Sequence, residues 1–415
     1  MEYAIIGMAV LFFGGHALQW LFAKTKIPDL LLLTAIGYLI GPVFGIVDQS
    51  HLGQVGNLLS TVALIVILYE AGLQLSTKDL KESWLPSLVL AILSFTSISI
   101  IAITLTSPIV GWPYSLLVAF GIGSTSSAIV IPMVKFLSIK QKTKTVLSLE
   151  SAFTDIFAIV LFLVVLEGLL AGNMDAYSIF FNVGPKTFIS MGSGILLAFV
   201  WAAIKKYLPV MTKIRFAGEA WALFSYGLIQ LMGLNGAMGV LCLGFCLANL
   251  NLLPKWMTQF FSKVPVTYEE MEILGEITFL LKTFFFLYLG MLIQLGNIWL
   301  VSVGAILALA IFATRYLVVR LIFTPKRDYS LMDALTLSSM GPRGLACAVL
   351  ATLPARAGFE SGDKIQQIIF ATIPISILLT ALFVFLSEQD SFRKMISLLY
   401  PKYLDGGSSS HENDL

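Results

Sequence analysis

Long apolar runs separated by short polar segments cover almost the whole chain. An α-helix needs about 20 residues to cross a hydrocarbon core about 30 Å thick, and each run is close to that length. The pattern therefore predicts thirteen membrane-spanning helices, near residues 2–22, 27–47, 55–76, 84–107, 112–136, 145–171, 180–205, 217–232, 235–252, 272–295, 297–323, 331–355 and 363–387. The eighth and ninth runs are short, and only residues 233–235 separate them.

The composition agrees with a membrane protein. Hydrophobic residues make up 58% of the chain and charged residues 12%, whereas a soluble domain has roughly 25% charged residues. The net charge of +2 is too small to indicate a nucleic-acid partner. Cys242, Cys246 and Cys347 lie in apolar runs without zinc-like spacing, and the histidines form no cluster. We therefore expect no cofactor and no enzyme activity.

The charges of the connecting segments predict a topology. With thirteen spans, one side of the membrane holds 20 Lys and Arg residues, including the C-terminal tail, and the other side holds 3. Basic residues concentrate on the cytoplasmic side. We expect residues 1–390 to form one transmembrane unit, in the cell (inner) membrane, with the N-terminus outside. Residues 391–415 would form a short cytoplasmic tail.

Charged residues inside the predicted spans are candidates for function, because each costs about 2.5–3.5 kcal/mol on insertion scales. Six of them stand out: Glu70, Glu150, Asp155, Lys282, Arg315 and Arg343. Asp155 lies about halfway along the sixth span, and an aspartate there can hold a proton or a dehydrated cation, but hardly both. Such mutual exclusion is a mechanism for exchange. Ser151 shares a helix face with Asp155, and Thr154 shares one with Glu150. Buried structural ion pairs are the alternative reading of these charges.

Two spans carry sequences that a continuous helix tolerates poorly. The fifth reads A-F-G-I-G-S-T-S-S-A-I-V-I-P, and the twelfth reads L-S-S-M-G-P-R-G-L-A-C-A-V. Small residues can also mark close helix contacts in membranes. The two spans are seven apart, however, so they cross in opposite directions. Paired interruptions in opposed spans are typical of inverted-repeat transporters.

Several segments together resemble the monovalent cation/proton antiporters, which include the sodium/proton exchangers. E-S-A-F-T-D resembles the family's Glu-Ser-x-x-Asn-Asp signature, and G-P-R-G-L resembles its Gly-x-Arg-Gly element. Y-E-A-G-L-Q-L and K-T-F-F-F-L-Y-L-G resemble its third-span and tenth-span segments. The fold class implied is an all-α polytopic membrane protein of about thirteen helices, with inverted repeats and two discontinuous crossing helices.

The resemblance also implies roles for individual residues. Asp155 would bind the cation, Na⁺ or K⁺, and the proton. The residues expected to help it, or to border the site, are Thr154, Ser151, Thr125, Ser126 and Glu70. Glu150 and Arg315 would form a buried ion pair, and Arg343 and Lys282 would compensate charge at the crossing or in the core.

The resemblance further implies a homodimer in which a core domain moves against a dimerisation domain. The core would comprise roughly residues 84–171 and 297–387, and the dimerisation domain roughly spans 1–3 and 7–10. Lipid and the exchanged ions are the other expected partners.

One residue departs from the family signature. Thr154 stands where the family usually has Asn or a second Asp. A single carboxylate favours one-for-one, electroneutral exchange. The potassium-efflux branch also departs from Asn here, so the choice between Na⁺ and K⁺ stays open, with Na⁺ favoured. A channel and a cation-coupled symporter are alternatives from other classes.

Overall fold

The computed structural model describes residues 2–25, 29–45, 49–74, 83–135, 137, 139–172, 184–252, 261, 266–293, 297–323, 329–389 and 400. Within these ranges the regular structure is entirely helical. In chain order the helices are α1 (Glu2–Thr25), α2 (Asp29–Tyr38), α3 (Gln49–Gln74), α4 (Trp84–Val110), α5 (Trp112–Gly121), α6 (Ser127–Lys135), α7 (Gln141–Leu170), α8 (Gly184–Tyr207), α9 (Ala217–Leu231), α10 (Gly236–Ala248), α11 (Tyr268–Leu292), α12 (Ile298–Ile322), α13 (Leu331–Ser339), α14 (Leu345–Arg356) and α15 (Gly362–Glu388).

Each of the thirteen predicted spans coincides with a helix or a helix pair, so the predicted fold class is confirmed. The fifth span is interrupted between α5 and α6 at residues 122–126. The twelfth is interrupted between α13 and α14 at residues 340–344. A further irregularity was not expected from the sequence: α2 continues into a π-helical turn, Leu39–Val43, that contains Pro42. Proline has no amide hydrogen to donate, which disturbs regular α-helical bonding.

The outer surfaces of the helices are apolar. Within the described part of the chain, six helices are long and apolar enough to cross a membrane: α4, α7, α8, α11, α12 and α15. Large hydrophobic side chains such as Phe188, Leu231 and Leu321 are exposed. Exposed apolar surface on this scale is unfavourable in water and favourable against lipid tails.

The chain folds into two compact units. Unit one comprises residues 1–17, 33–81 and 159–292, and unit two comprises residues 18–32, 82–158 and 293–415. The assignment of dimerisation and transport roles to parts of the chain stays a prediction.

In unit one, α10 is the central helix and packs against α3, α8 and α9. Ten of its thirteen residues are buried, including Val240 and Leu243. Small residues bring it close to its neighbours: a Cβ atom at Gly194 of α8 would clash with the backbone carbonyl of Gly239 in α10. Close backbone approach through small residues is a common way for membrane helices to associate.

In unit two, α12 packs against α4 and α15, and α15 also packs against α5, α13 and α14. Both interrupted helices thus belong to unit two, as does the half of α7 that carries Asp155. Unit two therefore contains the interrupted spans and the mid-membrane aspartate that the sequence singled out.

We predict that Gly194→Ala destabilises the protein by about 1–3 kcal/mol, the usual cost of overpacking. The new methyl group would have to displace backbone atoms of α10. Gly192→Ala is the matched control, because it lies on the same helix and a Cβ atom there meets nothing within 4 Å. Thermal unfolding of both variants in detergent tests this. Equal melting temperatures would show that α8 and α10 do not approach as described.

Candidate functional site

The two helix interruptions touch each other in unit two. The amide of Ser126, in the first interruption, donates a hydrogen bond of 2.8 Å to the carbonyl of Pro342 in the second. The contact is close, because a Cβ atom on Gly344 would clash with the Ser126 side chain. Breaking two helices at a shared point exposes backbone groups there that are available for other partners.

Arg343 connects the second interruption to the first. Its guanidinium Nη1 donates to the carbonyl of Ser124 at 2.9 Å and to Oγ1 of Thr125 at 3.1 Å. Its own amide donates to Oγ of Ser376 on α15. A cation beside the C-terminal end of α5 is favourable, since helix C-termini carry partial negative charge. Nε of Arg343 is buried and has no hydrogen-bond partner among the described residues.

Glu150 of α7 and Arg315 of α12 form a buried, bidentate ion pair. Nη1 and Nη2 of Arg315 each donate to one carboxylate oxygen of Glu150 at 3.0 Å. The side chains are 0% and 3% exposed. Nε of Arg315 donates to the carbonyl of Leu337 at 2.6 Å. That carbonyl lies in the last turn of α13, where a helix leaves carbonyl groups without intrahelical donors. Arg315 therefore links α7, α12 and the end of α13.

Thr125 attaches the first interruption to α7 at two points. Its amide donates to Oγ1 of Thr154 at 3.0 Å, and its hydroxyl donates to Oε1 of Glu150 at 3.2 Å. The Thr154 hydroxyl donates in turn to the carbonyl of Ser151. Non-helical backbone in a membrane persists only where its polar groups find partners, and α7 supplies them here.

Asp155 lies one residue beyond Thr154, next to the start of α6. Its Oδ2 accepts a hydrogen bond of 3.0 Å from the hydroxyl of Ser127. Its Oδ1 is buried and has no hydrogen-bond partner among the described residues. The residue as a whole keeps partial exposure. One carboxylate oxygen is thus held in place and the other is available to a proton or a cation.

The structure brings some of the predicted site residues together and leaves others apart. Asp155, Thr154, Thr125 and Ser126 meet at the interruption, while Ser151 donates its hydroxyl to the carbonyl of Ser148. The hydroxyls of Thr125 and Thr154 are engaged with other groups, and no hydrogen bond joins either of them to Asp155. Their roles in ion binding stay predictions.

Two predicted residues lie in unit one. Glu70 belongs to α3, and Lys282 belongs to α11, where its ammonium group lies 5.6 Å from the centre of the Phe279 ring. Their roles at the ion site also stay predictions.

Sequence reasoning missed Ser127, whose hydroxyl holds Asp155. The run from Ser124 to Ser127 was visible, but the sequence does not reveal where α6 begins. Ser127 is the first residue of that helix, and this position determines which hydroxyl faces Asp155. Ser376 of α15 was missed too, because it lies in an ordinary apolar run.

The family model for the sodium/hydrogen exchanger transmembrane region matches residues 7–386. The chain belongs to the sodium/hydrogen exchanger family. Members of this family are transporters, and the chain is an integral membrane protein.

Two relatives illustrate the range of the family. The K⁺/H⁺ antiporter NhaP2 of Shewanella sp. (strain MR-4) is 25% identical over 382 residues, which cover 86% of this chain and 61% of the relative. The low-affinity Na⁺/H⁺ antiporter NhaS1 of Synechocystis sp. is 27% identical over 233 residues, covering 54% of this chain and 42% of the relative. The chain thus spans less than two thirds of the length of either relative.

A solved structure shares the fold. The sodium proton antiporter MjNhaP1 of Methanocaldococcus jannaschii superposes with a TM-score of 0.73 at 22% identity, covering 97% of this chain and 99% of the other. The family's antiporter fold therefore extends over nearly the whole chain.

We predict that Gly344→Ala costs about 1–3 kcal/mol of stability through overpacking, and that Ser126→Gly in the same chain restores most of it. The backbone at Gly344 has φ −140°, which any residue can adopt, so the penalty comes from the clash with Ser126. Melting temperatures of the single and double variants test this. The control is Gly275→Ala, where a Cβ atom meets nothing within 4 Å. Failure of Ser126→Gly to rescue would contradict the contact.

Arg315→Gln should destabilise the protein by about 3–5 kcal/mol, because it leaves the Glu150 carboxylate buried and uncompensated. Arg320→Gln is the matched control, since Arg320 is an exposed residue of the same helix. Adding Glu150→Gln to Arg315→Gln removes the orphan charge and should recover part of the loss. Chemical denaturation in detergent measures all three. A double variant no more stable than Arg315→Gln would contradict a direct pairing.

Proposed function

We propose that the protein exchanges a monovalent cation for H⁺ across the membrane, with Na⁺ the favoured cation, by alternating access at Asp155. The observation that carries this proposal is the state of the Asp155 carboxylate. It lies at the meeting point of two interrupted helices, with Oδ2 bonded to Ser127 and Oδ1 buried without a partner among the described residues. A bare carboxylate oxygen in an apolar site is unfavourable unless a proton or a cation occupies it.

The geometry supports competition between the two ions. A proton on Asp155 removes the negative charge that would hold a cation, and a cation occupies the same oxygen that would take the proton. Alternating occupancy at one carboxylate couples the two fluxes. Ser127 supplies an oxygen beside the carboxylate, and small hard cations prefer oxygen ligands.

The charges around Asp155 favour one-for-one exchange. Glu150 is neutralised by Arg315, so it is not available to a transported ion. Thr154, at the position where a second acidic residue would stand, uses its hydroxyl to hold the first interruption. In this proposal Asp155 is the carboxylate that titrates during transport, and each cycle moves one cation against one proton without net charge.

K⁺ is the alternative cation. The printed names of the relatives support both choices, since NhaP2 is named a K⁺/H⁺ antiporter and NhaS1 a Na⁺/H⁺ antiporter. MjNhaP1 is named a sodium proton antiporter. We favour Na⁺ because the sequence contains the Glu-Ser signature and Glu70.

We also propose that the protein works as a homodimer in the cell membrane, with its N-terminus outside. Unit two would be the moving core and unit one the dimerisation domain. The division of the chain into two compact units supports this assignment. The 20-to-3 distribution of basic residues supports the orientation.

We predict that Asp155→Asn abolishes cation-driven proton movement while the protein stays folded. Asparagine keeps the shape of the side chain and the hydrogen bond to Ser127. Its neutral amide, however, does not take up a proton near neutral pH and cannot neutralise a cation. The measurement is the collapse of an imposed pH gradient in proteoliposomes, using a fluorescent pH indicator, on addition of Na⁺, Li⁺ or K⁺.

Asp363→Asn is the matched control, because Asp363 is an exposed aspartate at the start of α15. It should exchange ions like the unmodified protein. Exchange by Asp155→Asn at the control rate would refute the mechanism. The same assay on the unmodified protein identifies the cation, and a membrane potential imposed with valinomycin should leave an electroneutral exchange rate unchanged when Na⁺ is the substrate.

A further inference from the structure

A second buried carboxylate without a partner lies in unit one, outside the candidate site. Among the described residues, buried carboxylate oxygens that lack a hydrogen-bond partner occur on Asp155 and on Glu219. At Glu219 both oxygens are in this state, and the residue is 1% exposed. The proposed exchange mechanism does not use Glu219.

The charged neighbours of Glu219 come from the helices that pack against α9. Lys205 of α8 and Glu270 of α11 act on it electrostatically, and Tyr69 of α3 lies in the field of both glutamates. The remaining neighbour, α10, carries two cysteines as its titratable groups. Among the described residues, the charged groups that act on Glu219 are therefore one carboxylate and one ammonium group.

The ammonium group of Lys205 is already paired with the carboxylate of Glu270. Nζ of Lys205 lies 2.6 Å from each oxygen of Glu270, and the two side chains are 0% and 4% exposed. Glu270 also accepts hydrogen bonds from the amide and the hydroxyl of Thr267 at the start of α11. If Glu219 were ionised, the cluster of Glu219, Glu270 and Lys205 would carry one net negative charge.

We propose that Glu219 is a second proton-binding site of this protein, separate from Asp155. Desolvating an unpaired carboxylate is strongly unfavourable. The N-terminus of α9, where Glu219 lies in the first turn, offsets only a small part of that cost. A proton neutralises the carboxylate and needs no set of coordinating ligands. With Glu219 protonated, Lys205 and Glu270 balance each other and the cluster is neutral.

Release of this proton would affect the start of α11. A charged Glu219 competes with Glu270 for Lys205, and Glu270 is the residue that caps α11 through Thr267. The site thus makes the packing of unit one respond to pH independently of transport.

Infrared spectroscopy of the full-length protein in lipid nanodiscs tests the proposal without a transport assay. Glutamate carboxyls are labelled with ¹³C, and the carbonyl band of protonated carboxyl groups is followed from acid to alkaline pH. A labelled band should be present at neutral pH and disappear on alkalinisation. Its intensity should fall in Glu219→Gln and be unchanged in Asp155→Asn, so the result does not depend on the proposed function.

Two further variants complete the design. Glu269→Gln is the matched control, since Glu269 is 63% exposed and paired with Arg215 at 3.2 Å, and it should keep the band. Glu219→Asp keeps a carboxyl but not the label, so the band should move to its unlabelled position. Absence of a labelled band at neutral pH in the unmodified protein would overturn the proposal. A band of undiminished intensity in Glu219→Gln would overturn it equally.

Discussion

The ion pair between Glu150 and Arg315 is the interaction on which the candidate site depends. Isolated, either charge would be prohibitively costly in an apolar interior, and together they are stable only with further hydrogen bonds. Those bonds exist: Thr125 donates to Glu150, and Arg315 donates to the carbonyl of Leu337. Each additional bond reaches one of the two interruptions or the helix end beside it. The pair therefore holds in place the irregular backbone that forms the site.

Helix interruptions in a membrane create unsatisfied backbone groups, and this protein satisfies them with side chains from elsewhere in unit two. The guanidinium of Arg343 donates a hydrogen bond to the carbonyl of Ser124. The hydroxyl oxygen of Thr154 accepts one from the amide of Thr125, and that of Ser376 accepts one from the amide of Arg343. These polar groups serve the backbone in the structure, and any role they have in ion binding stays a prediction. Asp155 differs from them, because Ser127 binds one of its oxygens and the other has no hydrogen-bond partner among the described residues.

Much of this fold could be predicted from the sequence, because each helix needs a minimum length to cross a bilayer. Residues that interrupt a helix are also easy to recognise within an apolar run. Gly121 and Gly123, and Pro342 between two glycines, identified both interruptions. The site was less accessible. A run of four hydroxyl residues indicates polar chemistry but not which hydroxyl faces Asp155, since that depends on α6 beginning at Ser127. The π-helical turn at Leu39–Val43 depends on which backbone hydrogen bonds form locally. The presence of a proline and a glycine in the sequence does not determine that. Glu219 was not singled out either, because it stands at the edge of its span.

Asp155 and Glu219 have different surroundings, which match the different roles proposed for them. Both carry buried carboxylate oxygens without a hydrogen-bond partner among the described residues. Asp155 keeps partial exposure and adjoins irregular backbone, the setting that the proposed exchange of ions requires. Glu219 is 1% exposed and lies within regular helices, beside a lysine whose charge another glutamate neutralises. A proton can reach such a group through small fluctuations, whereas a hydrated cation cannot shed its water there without replacement ligands. Burial without irregular backbone thus favours proton storage, and burial beside broken helices favours exchange.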